Sequence, residues 1–104
     1  MNIGDVKRTP EGYCWVYDEN NDVIASGFAG SSDDSWGFSN SIIVTRTPDG
    51  YCWVYDENLE VISSGFAGSS DDNFNVVGNN IVIKKIDGYR VIYDKNLNVI
   101  SSGY

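Results

Sequence analysis

Hydrophobic and polar residues alternate along three short stretches in each third of the chain, the pattern of half-buried β-strands. In the central third these stretches are IIVTRT (42–47), YCWVYD (51–56) and VISSGF (61–66). Short polar segments separate them, with Pro and Gly in TPDG and with Asp and Asn in DENLE. Each third of the chain is therefore predicted to form a three-stranded antiparallel meander.

The two turns of each meander carry residues that suit unusual backbone angles. Gly50 in TPDG is predicted to adopt a left-handed conformation, which glycine reaches without steric penalty. Asn58 in DENLE is predicted to do the same, while the carboxylate of Asp56 caps the turn. Both turns are therefore expected to join their strands as tight hairpins.

The meander recurs with a period of 38 residues, as the spacing of Tyr13, Tyr51 and Tyr89 shows. Residues 1–104 are predicted to form a single domain with repeats at 6–43, 44–81 and 82–104, the third being shorter. One meander cannot bury its apolar face alone, so an all-β fold with pseudo-threefold packing, as in a β-trefoil or β-prism, is predicted. An open twisted sheet or a two-layer β-sandwich is the alternative. A short extra strand is expected in each connection, near Phe38 and near 76–77.

Composition excludes several classes of function. The chain has no histidine and only two cysteines, Cys14 and Cys52, which occupy the same place in their repeats. The usual Cys/His zinc sites and the Ser-His and Cys-His nucleophile pairs are therefore absent, and the protein is not predicted to be an enzyme. Both cysteines are expected to be free thiols.

Hydropathy and charge narrow the choice of partner. No apolar run approaches the roughly 20 residues that span a membrane, and MNIGDVKRTP does not resemble a secretion signal, so a cytoplasmic location is predicted. The net charge of −8 disfavours nucleic acid and anionic membranes as partners. The three repeats carry charges of −4, −5 and +2, with Asp5 outside them. A basic third repeat that meets an acidic repeat of another copy would give a homo-oligomer.

The candidate binding site is the loop GFAGSSDD, which occurs in the first two repeats and is absent from the third. Its hydroxyls and carboxylates could hydrogen-bond a sugar or coordinate a hard cation, whereas a solvated connecting loop is the simpler interpretation. Trp36 and Phe74, which follow the loops, are predicted to be exposed contact residues. The predicted ligand-binding residues are Phe28, Ser31, Ser32, Asp33, Asp34 and Trp36, with Phe66, Ser69, Ser70, Asp71, Asp72 and Phe74.

Two other features of the sequence are alternative candidates for a binding site. Trp15 and Trp53 lie between tyrosines on one face of a strand, and this stripe is either a stacking platform or part of the core, with the core favoured. DENND (18–22) places oxygens at alternate positions as a calcium loop does, but it lacks the glycine and the distal glutamate. A hairpin turn explains the same residues, so neither a metal nor a cofactor is predicted.

Three functions remain open. The preferred one is a non-enzymatic binding protein with two near-equivalent loop sites for a carbohydrate or another small polar ligand. The second is an acidic protein-interaction module that binds a basic protein surface, such as a phage-type inhibitor of a nucleic-acid-handling enzyme. The third is a self-assembling structural protein.

Overall fold

The computed structural model describes residues 2–68 and 72–104. Within these residues the chain forms eleven β-strands in three antiparallel sheets and contains no helix. The first sheet holds β1 (Ile3–Arg8), β2 (Tyr13–Asp18) and β3 (Val23–Phe28). The second holds β4 (Ser35–Phe38), β5 (Ile43–Arg46), β6 (Tyr51–Tyr55) and β7 (Val61–Phe66). The third holds β8 (Asn73–Val77), β9 (Asn80–Lys84), β10 (Arg90–Asp94) and β11 (Val99–Gly103).

The all-β class and the repeated antiparallel meander are confirmed. The extra strands expected in the connections are present as β4 and β8, and each pairs with the strand that follows it. Each connection therefore supplies the first strand of the next sheet, which makes the second and third sheets four-stranded.

The three sheets pack face to face in chain order. One core cluster joins the first and second sheets through Val6, Val16, Ile43 and Tyr55 among others. A separate cluster joins the second and third sheets through residues such as Val54 and Ile81. The pseudo-threefold packing of a trefoil or prism is not confirmed, because the two clusters connect the sheets as a row of three layers.

Alternation along β6 explains why the second sheet lies in the middle. Cys52 and Val54 belong to the cluster shared with the third sheet, whereas Trp53 and Tyr55 pack into the cluster shared with the first. Both faces of this strand are therefore apolar, as a strand covered on two sides requires.

The turns hold most of their predicted geometry. Gly12, Gly50 and Gly88 have φ values of 100°, 97° and 94°, as expected for the first turn. In the second turn the Asp56 carboxylate accepts hydrogen bonds from the backbone N–H groups of Asn58 and Glu60, at 2.8 and 3.0 Å. The Asp18 and Asp94 carboxylates cap their turns in the same way.

The left-handed residue of the second turn is not the one predicted. Leu59, with a φ of 61°, takes this conformation instead of Asn58. The Leu59 N–H closes the turn by donating to the Asp56 carbonyl oxygen at 3.1 Å, and the left-handed Leu59 then redirects the chain so that the Glu60 carbonyl oxygen accepts from the Asp56 N–H at 2.9 Å. A left-handed leucine is strained, yet its side chain packs into the cluster between the first two sheets. Leu97 repeats this arrangement against the second sheet.

An arginine at the end of β1 hydrogen-bonds to the backbone of the connection that leads to the second sheet. Arg8 Nη2 donates to the carbonyl oxygens of Ala29 and Ser31, at 3.0 and 2.7 Å. The equivalent Arg46 donates to the Asp72 carbonyl oxygen at 2.7 Å. Each arginine thus ties the connection that follows its sheet back to that sheet.

Candidate functional site

An open cleft of about 520 Å³ lies where the first connection meets the second sheet. Its residues come from the end of β3, the connecting loop, the turn before β6, β6 itself and the hairpin after it. The lining residues are Phe28, Gly30, Ser31, Asp34, Thr47, Trp53, Tyr55, Leu59 and Val61.

Three of the predicted ligand-binding residues meet in this cleft, namely Phe28, Ser31 and Asp34. Phe28 is 70% exposed and packs edge to face on Tyr13, with ring centroids 5.0 Å apart. Ser31 is exposed, whereas Asp34 is only 9% exposed. The cleft therefore combines an exposed aromatic ring, an accessible hydroxyl and a recessed carboxylate.

The Asp34 carboxylate already has partners within its own loop. Oδ2 accepts a hydrogen bond from the Ser31 N–H at 2.9 Å, and Oδ1 accepts one from the Ser31 hydroxyl at 3.1 Å. Gly30 lies beside it with a φ of 73°, and a Cβ at this position would overlap the carboxylate. Asp34 therefore shapes the loop first, and a ligand would share its remaining acceptor capacity.

A buried hydroxyl lies close to the same loop. Thr45 Oγ1 is fully buried and has no hydrogen-bond partner within the described part of the chain. A Cβ on Gly30 would come within 3.2 Å of this oxygen, so Thr45 lies directly against Gly30, which lines the cleft. An unpaired buried hydroxyl is costly, which makes Thr45 an unusual feature of this interface.

The second sheet supplies the other wall of the cleft. Trp53 is half-buried and Tyr55 is 8% exposed, and both also contribute to the packing between the first two sheets. The Trp53 ring also contacts Tyr51 edge to face, with centroids 5.5 Å apart. The aromatic stripe of β6 is thus core on one side and cleft wall on the other.

The next connection has different residues at two of the positions that line this cleft. Val91 stands where Trp53 stands one repeat earlier, and Lys85 replaces Thr47. Lys85 Nζ lies 3.5 Å from Asp72 Oδ2, and the Asp72 side chain is buried. The two predicted sites therefore differ in chemistry: one pairs a carboxylate with a serine beside a tryptophan, and the other pairs it with a lysine.

The other predicted residues that the structure describes are not among the residues that line the cleft. Trp36 and Phe74 were expected to be exposed, but both are half-buried and pack against the two core clusters. Trp36 stacks on Phe38 at a centroid distance of 6.0 Å, and the Arg46 guanidinium lies 5.9 Å from the Phe74 ring centre. Ser32 and Asp33 are exposed, and Phe66 is 66% exposed against Tyr51. Ser69, Ser70 and Asp71 lie outside the described residues.

Cys14 and Cys52 are free and buried, as predicted. Burial raises the pKa of both thiols, and the nearby Arg8 and Arg46 guanidinium groups only partly oppose this. Both side chains are therefore protonated and unreactive near neutral pH. Over residues 2–68 and 72–104, no three Cys, Asp or Glu side chains are grouped as a metal site would need.

Comparison with known proteins defines the fold further. No family model matches the chain, and no curated protein matches it significantly. BamB from Moraxella catarrhalis superposes with a TM-score of 0.61 at 15% identity, over 93% of this chain and 31% of that one. The fold is β-propeller-like.

A chain of the mitotic checkpoint complex superposes with a TM-score of 0.58 at 13% identity, over 96% of this chain and 36% of that one. This chain thus spans about a third of each of these structures. At such low identity the likeness concerns the fold alone. The described residues also contain no helix that could cross a membrane.

Sequence reasoning missed the wall of the cleft that the second sheet supplies. Thr47, Trp53, Tyr55 and Leu59 are distant from Phe28 in the chain and reach it only because the sheets stack face to face. The repeat did contain one usable signal, since Trp53 and Thr47 both change in the third copy, to Val91 and Lys85.

Proposed function

We propose that this protein is a non-enzymatic binding protein that takes a carbohydrate or another small polar ligand in the cleft between the first two sheets. One observation carries the proposal: Phe28, Ser31 and Asp34 of the first connection converge with Trp53 of the second sheet. Only one such cleft is proposed, because Lys85 and Val91 change the chemistry of the second connection.

The chemistry of the lining suits a sugar. Aromatic rings such as Phe28 and Trp53 can stack on the apolar face of a pyranose, and the hydroxyls of Ser31, Thr47 and Tyr55 can hydrogen-bond its edge. The volume of about 520 Å³ falls within the usual range of small-ligand sites. The opening is shallow, so weak and reversible binding is expected.

A fluorescence titration tests the proposal. Wild-type protein, Trp53→Val and Trp15→Val, each dilute enough to be a single chain, are titrated with a panel of mono- and disaccharides while tryptophan emission is recorded. Valine is the natural residue at the equivalent position 91, and Trp15 is the equivalent tryptophan outside the cleft. Trp53→Val is expected to weaken binding about tenfold or more, and Trp15→Val less than about twofold.

Isothermal calorimetry with the best sugar of the panel provides the second readout, and Ser31→Ala tests the hydroxyl. Absence of binding by every sugar at millimolar concentration would overturn the carbohydrate proposal. Equal losses for the two tryptophan variants would place the site elsewhere.

The acidic interaction module is the second candidate, and the equivalent turns of the first two sheets favour it. Glu19 and Asp22 are exposed in one turn and Glu60 in the other, and neither turn contains a basic residue. We propose that this edge binds a basic protein surface in a salt-dependent manner. A triple Glu19→Lys, Asp22→Lys, Glu60→Lys variant should abolish binding to a polylysine probe, and unchanged binding would refute the candidate.

We propose a reducing compartment such as the cytoplasm as the site of action. Two buried free cysteines are compatible with a compartment that keeps thiols reduced.

A further inference from the structure

Two sheet faces of mixed apolar and charged residues lie open at opposite ends of the row of sheets. The face of the first sheet turned away from the second is called the Trp15 face, and the face of the third sheet turned away from the second is called the Arg90 face. The Trp15 face comprises Asp5, Lys7, Tyr13, Trp15 and Tyr17. The Arg90 face comprises Val82, Lys84, Arg90, Ile92 and Ser101.

Each open face is the counterpart of a face that is packed inside the molecule. The Trp15 face corresponds to the side of the second sheet where Trp53 and Tyr55 receive the first sheet. The Arg90 face corresponds to the side of the second sheet where Cys52 and Val54 receive the third. The chain therefore contains two copies of one kind of interface between sheets. The Arg90 face and the Trp15 face are the two sides of a third such interface, and they do not meet within the chain.

We propose that these halves pair between molecules, so that the Arg90 face of one copy packs on the Trp15 face of the next. The junction continues the interface that already joins the sheets within the chain. Such a contact is heterologous, and it yields a closed ring if the rotation between copies closes.

Charge complementarity supports this partner. Arg90 replaces Cys52 and Cys14 of the earlier repeats, whereas Asp5 replaces Ile43 and Ile81. In both internal interfaces the cysteine and the isoleucine belong to the same core cluster. A junction with the same register therefore brings Arg90 of one copy close to Asp5 of the next.

A hydrogen bond across the internal interface has a counterpart at the junction. The Ser63 hydroxyl of the second sheet donates to the Lys95 carbonyl oxygen of the third sheet, at 2.6 Å. The equivalent residues at the junction are Ser101 of one copy and Glu19 of the next, and both are exposed in the single chain. Ser101 is thus an unused donor at the position where the internal interface uses one.

The junction is more polar than the internal interfaces. Lys7 stands where Thr45 and Ile83 are buried, and Asn21 replaces the packed Leu59 of the second sheet. Lys7 also brings a positive charge to the face that would receive Arg90. Its Nζ lies 5.4 Å from the Tyr17 ring centre on that same face. The association is therefore expected to be reversible and to depend on salt.

The junction would also bring together the two aromatic walls of a further cleft. Phe28 and Trp53, which line the cleft inside the chain, correspond to Tyr104 of one copy and Trp15 of the next. Tyr104 is 81% exposed and packs edge to face on Tyr89, as Phe28 does on Tyr13. Each copy would thus contribute one ring to this cleft.

Mass measurement on the full chain tests the proposal. Sedimentation equilibrium from about 1 µM to about 1 mM is expected to show the 11.5 kDa chain in equilibrium with one discrete multiple of that mass. Asp5→Arg and Arg90→Asp alone should each weaken association by about tenfold or more, since each places like charges at the junction.

Charge exchange distinguishes this junction from other contacts. An equimolar mixture of the Asp5→Arg and Arg90→Asp proteins should associate as wild type does, because both of its junctions pair opposite charges. The control is Asp49→Arg, an exposed charge reversal on the second sheet and outside both faces. Circular dichroism verifies that every variant is folded.

Three results would overturn the proposal: a wild-type chain that remains at 11.5 kDa up to the highest concentration, single variants that associate normally, or a mixture that shows no rescue. The first result would assign the two faces to a different partner. Sugar binding at the internal cleft is measured separately and does not depend on this outcome.

Discussion

Strands β2 and β6 have the same five residues, Tyr-Cys-Trp-Val-Tyr, but their surroundings differ. In β6, Trp53 packs against the first sheet and Tyr55 is 8% exposed. In β2, the equivalent Trp15 is 37% exposed and Tyr17 is half-buried, because no described residue packs on that face. Position in the stack, rather than sequence, therefore decides whether an aromatic stripe is core or surface.

The face of these strands opposite the tryptophans can be compared in the same way. Cys14 and Cys52 are fully buried between sheets, and the third repeat has Arg90 at this position on an exposed face. The third repeat thus replaces cysteine with arginine at the position where a covered sheet face becomes an exposed one. Three pairs of substitutions and one single substitution test this comparison, from the largest expected effect to the smallest.

Cys52→Arg gives the second sheet the residue of the third. It would bury an unpaired charge between sheets and is expected to lower the free energy of unfolding by about 3–5 kcal/mol, or to prevent folding. Arg90→Cys, its counterpart on the exposed face, should change the stability of the single chain by less than about 0.5 kcal/mol. Urea denaturation of dilute protein measures both, and similar losses for the two would contradict the stacking order.

Trp53→Val and Trp15→Val compare the two aromatic stripes. Trp53 contacts the core cluster between the first two sheets, so its truncation is expected to cost about 2 kcal/mol. Trp15 lies on the open face and should cost less than about 1 kcal/mol. Thermal denaturation at low protein concentration provides the comparison, and a larger loss at Trp15 would reverse the assignment.

Leu59→Asn and Asn21→Leu exchange the left-handed residues of two equivalent turns. Leu59→Asn relieves backbone strain but removes packing against the first sheet, so a net loss of about 1 kcal/mol is expected. Asn21→Leu adds strain at a turn that packs on no sheet, with a similar loss. Stabilisation by Asn21→Leu in dilute protein would show that a surface already covers that turn.

Thr45→Val removes the buried hydroxyl that lacks a partner in the described residues. Because no hydrogen bond is lost, the variant should be unchanged or more stable by up to about 1 kcal/mol. Ile83, the apolar residue at the equivalent position of the third sheet, supports this direction. A loss of 1 kcal/mol or more would mean that the hydroxyl has a partner.

The sequence was informative about local structure because alternation and turn chemistry act over a few residues. It predicted the meanders, the left-handed Gly50 and the extra strands β4 and β8. It misplaced the left-handed residue of the second turn, which is the residue after the Asn in all three repeats, namely Asn21, Leu59 and Leu97, because the backbone of this turn reverses there whether or not a sheet packs on it. Propensity alone favours Asn58 there.

The packing of the repeats could not be predicted from the sequence. The residues that line the cleft depend on this packing, so they could not all be predicted either. Trp36 and Phe74 looked like exposed loop residues, but β4 and β8 place them against the core clusters. Phe28, Ser31 and Asp34 were predicted as binding residues of one loop and line the cleft together, whereas the opposite wall with Trp53 depends on face-to-face stacking. Repetition identified what is alike among the copies, but not which face of each copy is covered.

Acrylamide quenching of tryptophan emission tests the central claim most directly, because it reports the cover on Trp15 and Trp53 in solution. In protein dilute enough to be a single chain, Trp15→Phe should lower the quenchable emission more than Trp53→Phe does, because Trp53 is covered by the first sheet and is reached only through the cleft. This result would show that identical strands occupy an open and a covered position. Equal contributions from the two tryptophans, or a dominant one from Trp53, would contradict the account.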